Sequence, residues 1–136
     1  MDIAQAVDFM RSNHHAVLHT FRRDGSPQLS PIAVGVDEAG RAVISSRETA
    51  MKTKNLLRDP RAGLCVLNDG FFGDWCMAEG PCEVVHLPEA MDPLISYYRQ
   101  LSGEHPDWDE YRAAMEKDRR VILRITVERA GPNLHG

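Results

Sequence analysis

The sequence predicts a mainly β, α+β fold: a six- to seven-stranded antiparallel barrel with three to four flanking helices. Three observations carry that expectation. Six or seven short strand-like runs are separated by Gly, Pro, Asn and Asp turn signals. The helical stretches do not alternate with the strands as a parallel βαβ series requires. Arg120 to Glu128 sets Val121, Leu123, Ile125 and Val127 against Ile122, Arg124, Thr126 and Glu128, a clear period of two. The 136 residues suit one domain spanning 1–136.

The elements follow in order. Asp2 to Ser12 places Ile3, Ala6, Val7 and Met10 at helical spacing, with Asp2 as N-cap. Ala16 to Phe21 reads as a strand, ended by Asp24-Gly25, a hairpin signal. Gln28 to Val36 is a second strand, Asp37 to Gly40 a tight turn, and Arg41 to Ser46 a third strand. Short turns between them predict an antiparallel meander. Thr49 to Arg58 reads as a helix capped by Thr49 and stopped by Asp59-Pro60. Ala62 to Leu67 is a fourth strand. Beyond Phe71-Phe72-Gly73, Trp75 to Glu79 and Cys82 to Leu87 read as two strands around Gly80-Pro81. Pro88 opens a helical region through Leu101, and Trp108 to Lys117 is a further helix with an acidic first turn.

Composition excludes several classes. An apolar fraction of 43% and a charged fraction of 26% are those of a chain with a real core, not a disordered one. A net charge of −4 and a pI near 5.8 argue against a general nucleic-acid binder. No apolar run approaches the roughly 20 residues of a membrane helix. Met1 to Gln5 shows neither the basic nor the apolar region of a secretory signal. Cys65, Cys76 and Cys82 are an odd set without paired spacing, so reduced thiols and a cytoplasmic protein are expected. Apolar outer positions on so small a barrel predict a second copy as cover, hence a homodimer.

The chemistry-bearing residues are few. There is no nucleophile elbow, Walker loop or dinucleotide fingerprint. His14-His15 and the three cysteines lack metal-site spacing. The stretch Arg47 to Arg61 is different: it carries +3 on a chain whose remainder carries −7. It reads either as a solvated helix face or as the seat of a small anionic ligand. Ser45-Ser46-Arg47 ends a strand, and a helix follows with Lys52 near its start. Hydroxyls, a guanidinium, an ammonium and a helix N-terminus converging on one spot suit a phosphate. Lys52 and Lys54 point in different directions on that helix, so one suits the phosphate and the other an outer carboxylate.

Several motifs in order resemble one family. They are Asp24-Gly25-Ser26-Pro27-Gln28-Leu29-Ser30-Pro31, the run from Lys52 to Ala62 with Asn55-Leu56-Leu57-Arg58-Asp59-Pro60-Arg61, Glu79-Gly80, and a block from Tyr98 to Arg120. Together they resemble the pyridoxamine-phosphate-oxidase-like, FMN-binding split-barrel superfamily, and within it the reductases that use the deazaflavin coenzyme F420. The resemblance covers nearly the whole chain. It implies a split barrel, a homodimer, and a cofactor at the subunit interface. By position it implies that Lys52 holds the cofactor phosphate, aided by Ser45, Ser46 and Arg47. Gln28, Ser30, Pro31 and Ile32 would line the ring system, with Trp75 and Met77 from a neighbouring strand, of the same or the other subunit. Lys54 and Arg58 would meet the oligoglutamate tail of F420. Ala50 departs from the pattern, standing where some relatives carry a second basic residue.

The implied activity is hydride transfer from reduced F420 to a conjugated, planar small molecule such as an enone, a quinone or a tetrapyrrole, with no side chain assigned as acid or base. Two alternatives stand beside it. One is an FMN-dependent oxidoreductase on the same fold. The other is a non-catalytic protein that binds a cofactor or haem, with His19 and His86 as the strand histidines.

Overall fold

The computed structural model describes residues 1–131. Helix α1 (Ile3–Ser12) starts at Asp2, whose carboxylate accepts from the Gln5 backbone N–H at 2.8 Å while the Gln5 side chain accepts from Asp2 N–H at 2.9 Å. Each satisfies a donor the helix end leaves open. Strands β1 (His15–Phe21) and β2 (Pro27–Ala33) form the expected hairpin, with Gly25 at φ +86° in its turn.

The expected second strand breaks at Val34. The His14 carbonyl accepts its N–H at 2.8 Å, and His14 Nδ1 donates to its carbonyl at 2.8 Å. The chain resumes as β3 (Gly35–Val36), which pairs with β4 (Ala42–Arg47) and not with β1. The three-strand meander is therefore replaced by two separate hairpins. A distant side chain is the physical reason. Gln100 accepts from Val36 N–H at 2.6 Å and donates to Val36 C=O at 3.2 Å, drawing the strand away from β1.

Helix α2 (Met51–Arg58) and strands β5 (Arg61–Leu67) and β6 (Trp75–Val85) follow, then α3 (Met91–Ser102), α4 (Trp108–Lys117), β7 (Arg120–Ile125) and a short β8 (Arg129–Gly131). Thr49 does not cap α2. Ala50 stands at the N-cap without a side-chain bond, so the open end of this helix keeps free N–H groups. β6 is one strand where two were expected. Its residues up to Pro81 pair with β5, and Cys82 to Val85 pair with β7. Gly80 makes the crossing possible, because a Cβ there would lie 1.8 Å from the Thr126 carbonyl oxygen.

The antiparallel path runs β2-β1-β5-β6-β7-β4-β3, with β8 beside β6. Its two ends, β2 and β3, are neighbours in the chain, so the sheet curls into a half-barrel. Inside lie Leu18, Ile44, Leu64, Val66, Leu123 and Ile125. The outer face of β4 and β7 presents Val43 and Ile122 to Leu94, Ile95 and Tyr111 of α3 and α4, which form a second core. On the outer face of the other half, Pro31, Val17, Cys65 and Met77 fall in one cross-strand row. None of these four belongs to either core.

Candidate functional site

The site is built where β4 ends and α2 begins. Thr53 Oγ1 donates to the Arg47 carbonyl at 2.7 Å, which leaves Ser46 as donor in its 2.8 Å contact with Thr53. Both residues are buried. This link fixes the first turn of α2 against the strand end and commits the Ser46 hydroxyl. Ser45 and Arg47 lie on the opposite face of β4 by strand alternation.

Lys52 is half-buried at this corner, and among the described residues it has no hydrogen-bond or ion-pair partner. Burial holds its pKa below the usual lysine value, and the Arg120 charge adds to the depression. Arg120 sits opposite Arg47 in the β4–β7 ladder. Among the described residues its buried Nε has no hydrogen-bond partner, and it forms an ion pair with the carboxylate of Asp118 at 3.8 Å. Tyr97 of α3 closes the corner, its hydroxyl donating to the Ala33 carbonyl at 2.8 Å.

On β2, Gln28, Ser30 and Ile32 face the barrel interior opposite Thr20, Leu18 and Ala16, while Leu29 and Pro31 face outward. Gln28 Oε1 lies 3.4 Å from the Asn55 amide, and the Ser30 hydroxyl is buried without a partner. Trp75 and Met77 share the outward face with Pro31. Within one chain, then, Gln28, Ser30 and Ile32 stand on one side of the sheet and Pro31, Trp75 and Met77 on the other.

Lys54 and Arg58 open onto a basin of about 720 Å³ that also takes in Arg22, Arg23 and Asp24 from the β1–β2 turn. Four cations face one carboxylate. Buried Asn55 anchors the basin wall: its amide donates to Thr20 Oγ1 at 3.1 Å, and its carbonyl accepts from Arg58 at 3.1 Å. Arg58 also donates to the Phe21 carbonyl at 2.6 Å, holding the hairpin to the helix.

Sequence reasoning passed over Thr53, Asn55, Arg22, Arg23 and Arg120. Thr53 and Asn55 lie about 200° apart around the helix, so no helical periodicity marks both as buried. Arg22 and Arg23 directly precede the Asp24-Gly25 turn signal and belong to no motif of their own. Elsewhere, His19 lies half-buried in an outer-face hollow of about 350 Å³ beside Phe21 and Gly63, its Nε2 without a partner. His86 is exposed. The cysteines are free, and burial pushes Cys76 up to about 11 and Cys82 up to about 12, so both are inert thiols. Among the described residues no group of His, Cys, Asp and Glu is arranged to hold a metal.

A curled antiparallel sheet with a cationic corner at a strand-to-helix junction defines the class: a split barrel. The chain belongs to the pyridoxamine 5'-phosphate oxidase family, whose profile matches residues 3–132. Over 124 residues it is 27% identical to the F420H(2)-dependent biliverdin reductase of Mycobacterium tuberculosis (strain CDC 1551 / Oshkosh), covering 91% of this chain and 82% of that protein. The crystal structure of the conserved hypothetical protein Rv2991 from Mycobacterium tuberculosis is similar with a TM-score of 0.81 and 27% identity, covering 99% of this chain and 86% of that one. An F420 reductase structure shares the fold at a TM-score of 0.71 and 17% identity, covering 91% of this chain and 94% of that one.

Proposed function

We propose that this protein is a homodimeric, cytoplasmic oxidoreductase that binds coenzyme F420 and reduces a conjugated, planar small molecule. One observation carries the choice of cofactor. Lys52, without a partner among the described residues, lies on the helix whose Lys54 and Arg58 line a basin together with Arg22 and Arg23. FMN ends at its phosphate and gives that basin no role. F420 continues beyond its phosphate into a chain of carboxylates, which four cations suit.

The residues present fit such a group. Lys52, with Ser45 and Arg47 from the end of β4, would hold the phosphate, and the uncapped start of α2 offers backbone N–H groups to the same charge. Lys54, Arg58, Arg22 and Arg23 would meet the tail. The β2 backbone along Gln28, Ser30 and Ile32 would flank the ring system. Pro31, Trp75 and Met77 would enter from the second subunit, since they stand on the far side of the sheet in their own. When bound, reduced F420 supplies a hydride, and a solvent proton completes the reduction. No side chain is assigned as acid or base; the protein's part is to orient the ring and exclude water. Identity to the F420H(2)-dependent biliverdin reductase supports a tetrapyrrole among the candidate substrates.

Side-by-side fluorescence titration of cofactor-free protein with oxidised F420 and FMN tests the reading. Clear preference for F420 is expected, followed by turnover when reduced F420 is mixed with an enone, a quinone or biliverdin. Preference for FMN would move the protein to the flavin oxidoreductases.

A further inference from the structure

The β4–β7 ladder places Arg47 and Arg120 directly opposite one another. Like charges in that position repel across the strands. Lys52, at the start of α2 where β4 ends, adds a third positive charge, and its proton affinity is lowered first by burial and then by the Arg120 charge. Among the described residues only Arg120 of the three has a carboxylate within ion-pair reach, that of Asp118. Neither Arg47 nor Lys52 has an acid within ion-pair distance, and Asp118 stays 3.8 Å from Arg120 Nε, beyond a hydrogen bond. Glu48 lies with Arg119 and Arg120 along a neighbouring cleft but forms no ion pair with either. The Tyr97 hydroxyl is already spent on Ala33. A buried guanidinium N–H without an acceptor is a costly vacancy.

We propose that Arg120 is the second cation of the phosphate site. It closes on a phosphate ester together with Lys52, and the Arg47–Arg120–Lys52 repulsion, which Asp118 relieves only in part and only at Arg120, is quenched when that anion binds. This rests on the cofactor reading above and adds to it a residue from β7. It also accounts for Ala50: the positive charge expected there is delivered from the opposite strand.

The sign of a stability change separates this role from a structural one. Removing a structural arginine lowers the melting temperature. Removing one member of a repelling trio leaves it level or raises it. The test uses wild type, Arg120→Gln and Arg120→Lys, each melted with and without inorganic phosphate and titrated with F420 and with the phosphate-free deazaflavin riboside. Phosphate should raise the melting temperature of wild type and of Arg120→Lys, but not of Arg120→Gln. Arg120→Gln without phosphate should melt no lower than wild type. It should lose about ten- to a hundredfold in F420 affinity, the worth of one charge-assisted hydrogen bond, and bind the riboside unchanged. An Arg120→Gln protein that melts lower, or that binds F420 as tightly as wild type, or that loses riboside affinity in equal measure, would overturn the proposal. Should wild type ignore F420 yet keep an Arg120-dependent response to phosphate, the cofactor reading fails and the anion site stands.

Discussion

Lys52 is a lysine whose surroundings work against its charge: it is half-buried, beside Arg120, and without a counter-ion among the described residues. Its pKa therefore falls below the ordinary lysine value of 10.5 on folding. The sign of the consequence follows from proton counting. Between the lowered folded value and 10.5 the unfolded chain binds more protons, so the stability of the free protein rises with pH through that window. A bound phosphate requires the ammonium and pulls the pKa back up. Cofactor affinity should accordingly fall as pH rises through the same window, and titrations across alkaline pH would reveal it. Lys52→Ala should cost roughly 1.5–3 kcal/mol of cofactor binding and abolish that pH dependence; unchanged affinity would remove Lys52 from the phosphate site. At this scale the sequence marks Lys52, Lys54 and Arg58 as candidates, because a basic run stands out on an acidic chain. Arg120 was not, because only the β4–β7 register brings it to the same corner.

The element that organises the site is α2, and its hold on the sheet is polar. Thr53 ties its start to β4 through Ser46 and Arg47, and Asn55 ties its middle to Thr20 of β1 and to Arg58. Asn55→Ala leaves Thr20 buried without that donor. A loss of about 1–3 kcal/mol is expected on denaturant unfolding, together with weaker tail binding as Arg58 loses its brace. Full stability in that variant would show that α2 is held by Leu56 packing instead. Element boundaries show where sequence patterns stop short. Ile32, Val34 and Val36 keep period two straight through the break at Val34, so the pattern cannot announce it. Gln100, 64 residues away, decides it. Gly80-Pro81 carries turn chemistry, yet here it is the point where a continuous β6 changes partners under the Thr126 carbonyl.

Over the whole molecule, two surfaces remain to be matched with occupants. On the outer sheet face Met77, 42% exposed, ends the row through Pro31, Val17 and Cys65, and Leu29 on the same face is 66% exposed. Under the homodimer reading this face is covered by its copy, so Leu29→Glu should yield monomers by sedimentation and weaken cofactor binding at low protein concentration. A monomeric wild type would remove that reading. The second surface is the basin. A chain of net charge −4 repels polyanions at long range, so attraction to the F420 tail must be local, from Arg22, Arg23, Lys54 and Arg58. Affinity should then rise with the number of glutamates on the cofactor and fall with added salt. Lys54 and Arg58 sit on the helix, whereas Arg22 and Arg23 sit on a hairpin that Arg58 holds in place through the Phe21 carbonyl. Arg22→Ala combined with Arg23→Ala should flatten the dependence on tail length while leaving the affinity for a single-glutamate cofactor nearly intact. If the double variant instead loses both equally, the hairpin serves the phosphate or the ring, and the tail lies elsewhere.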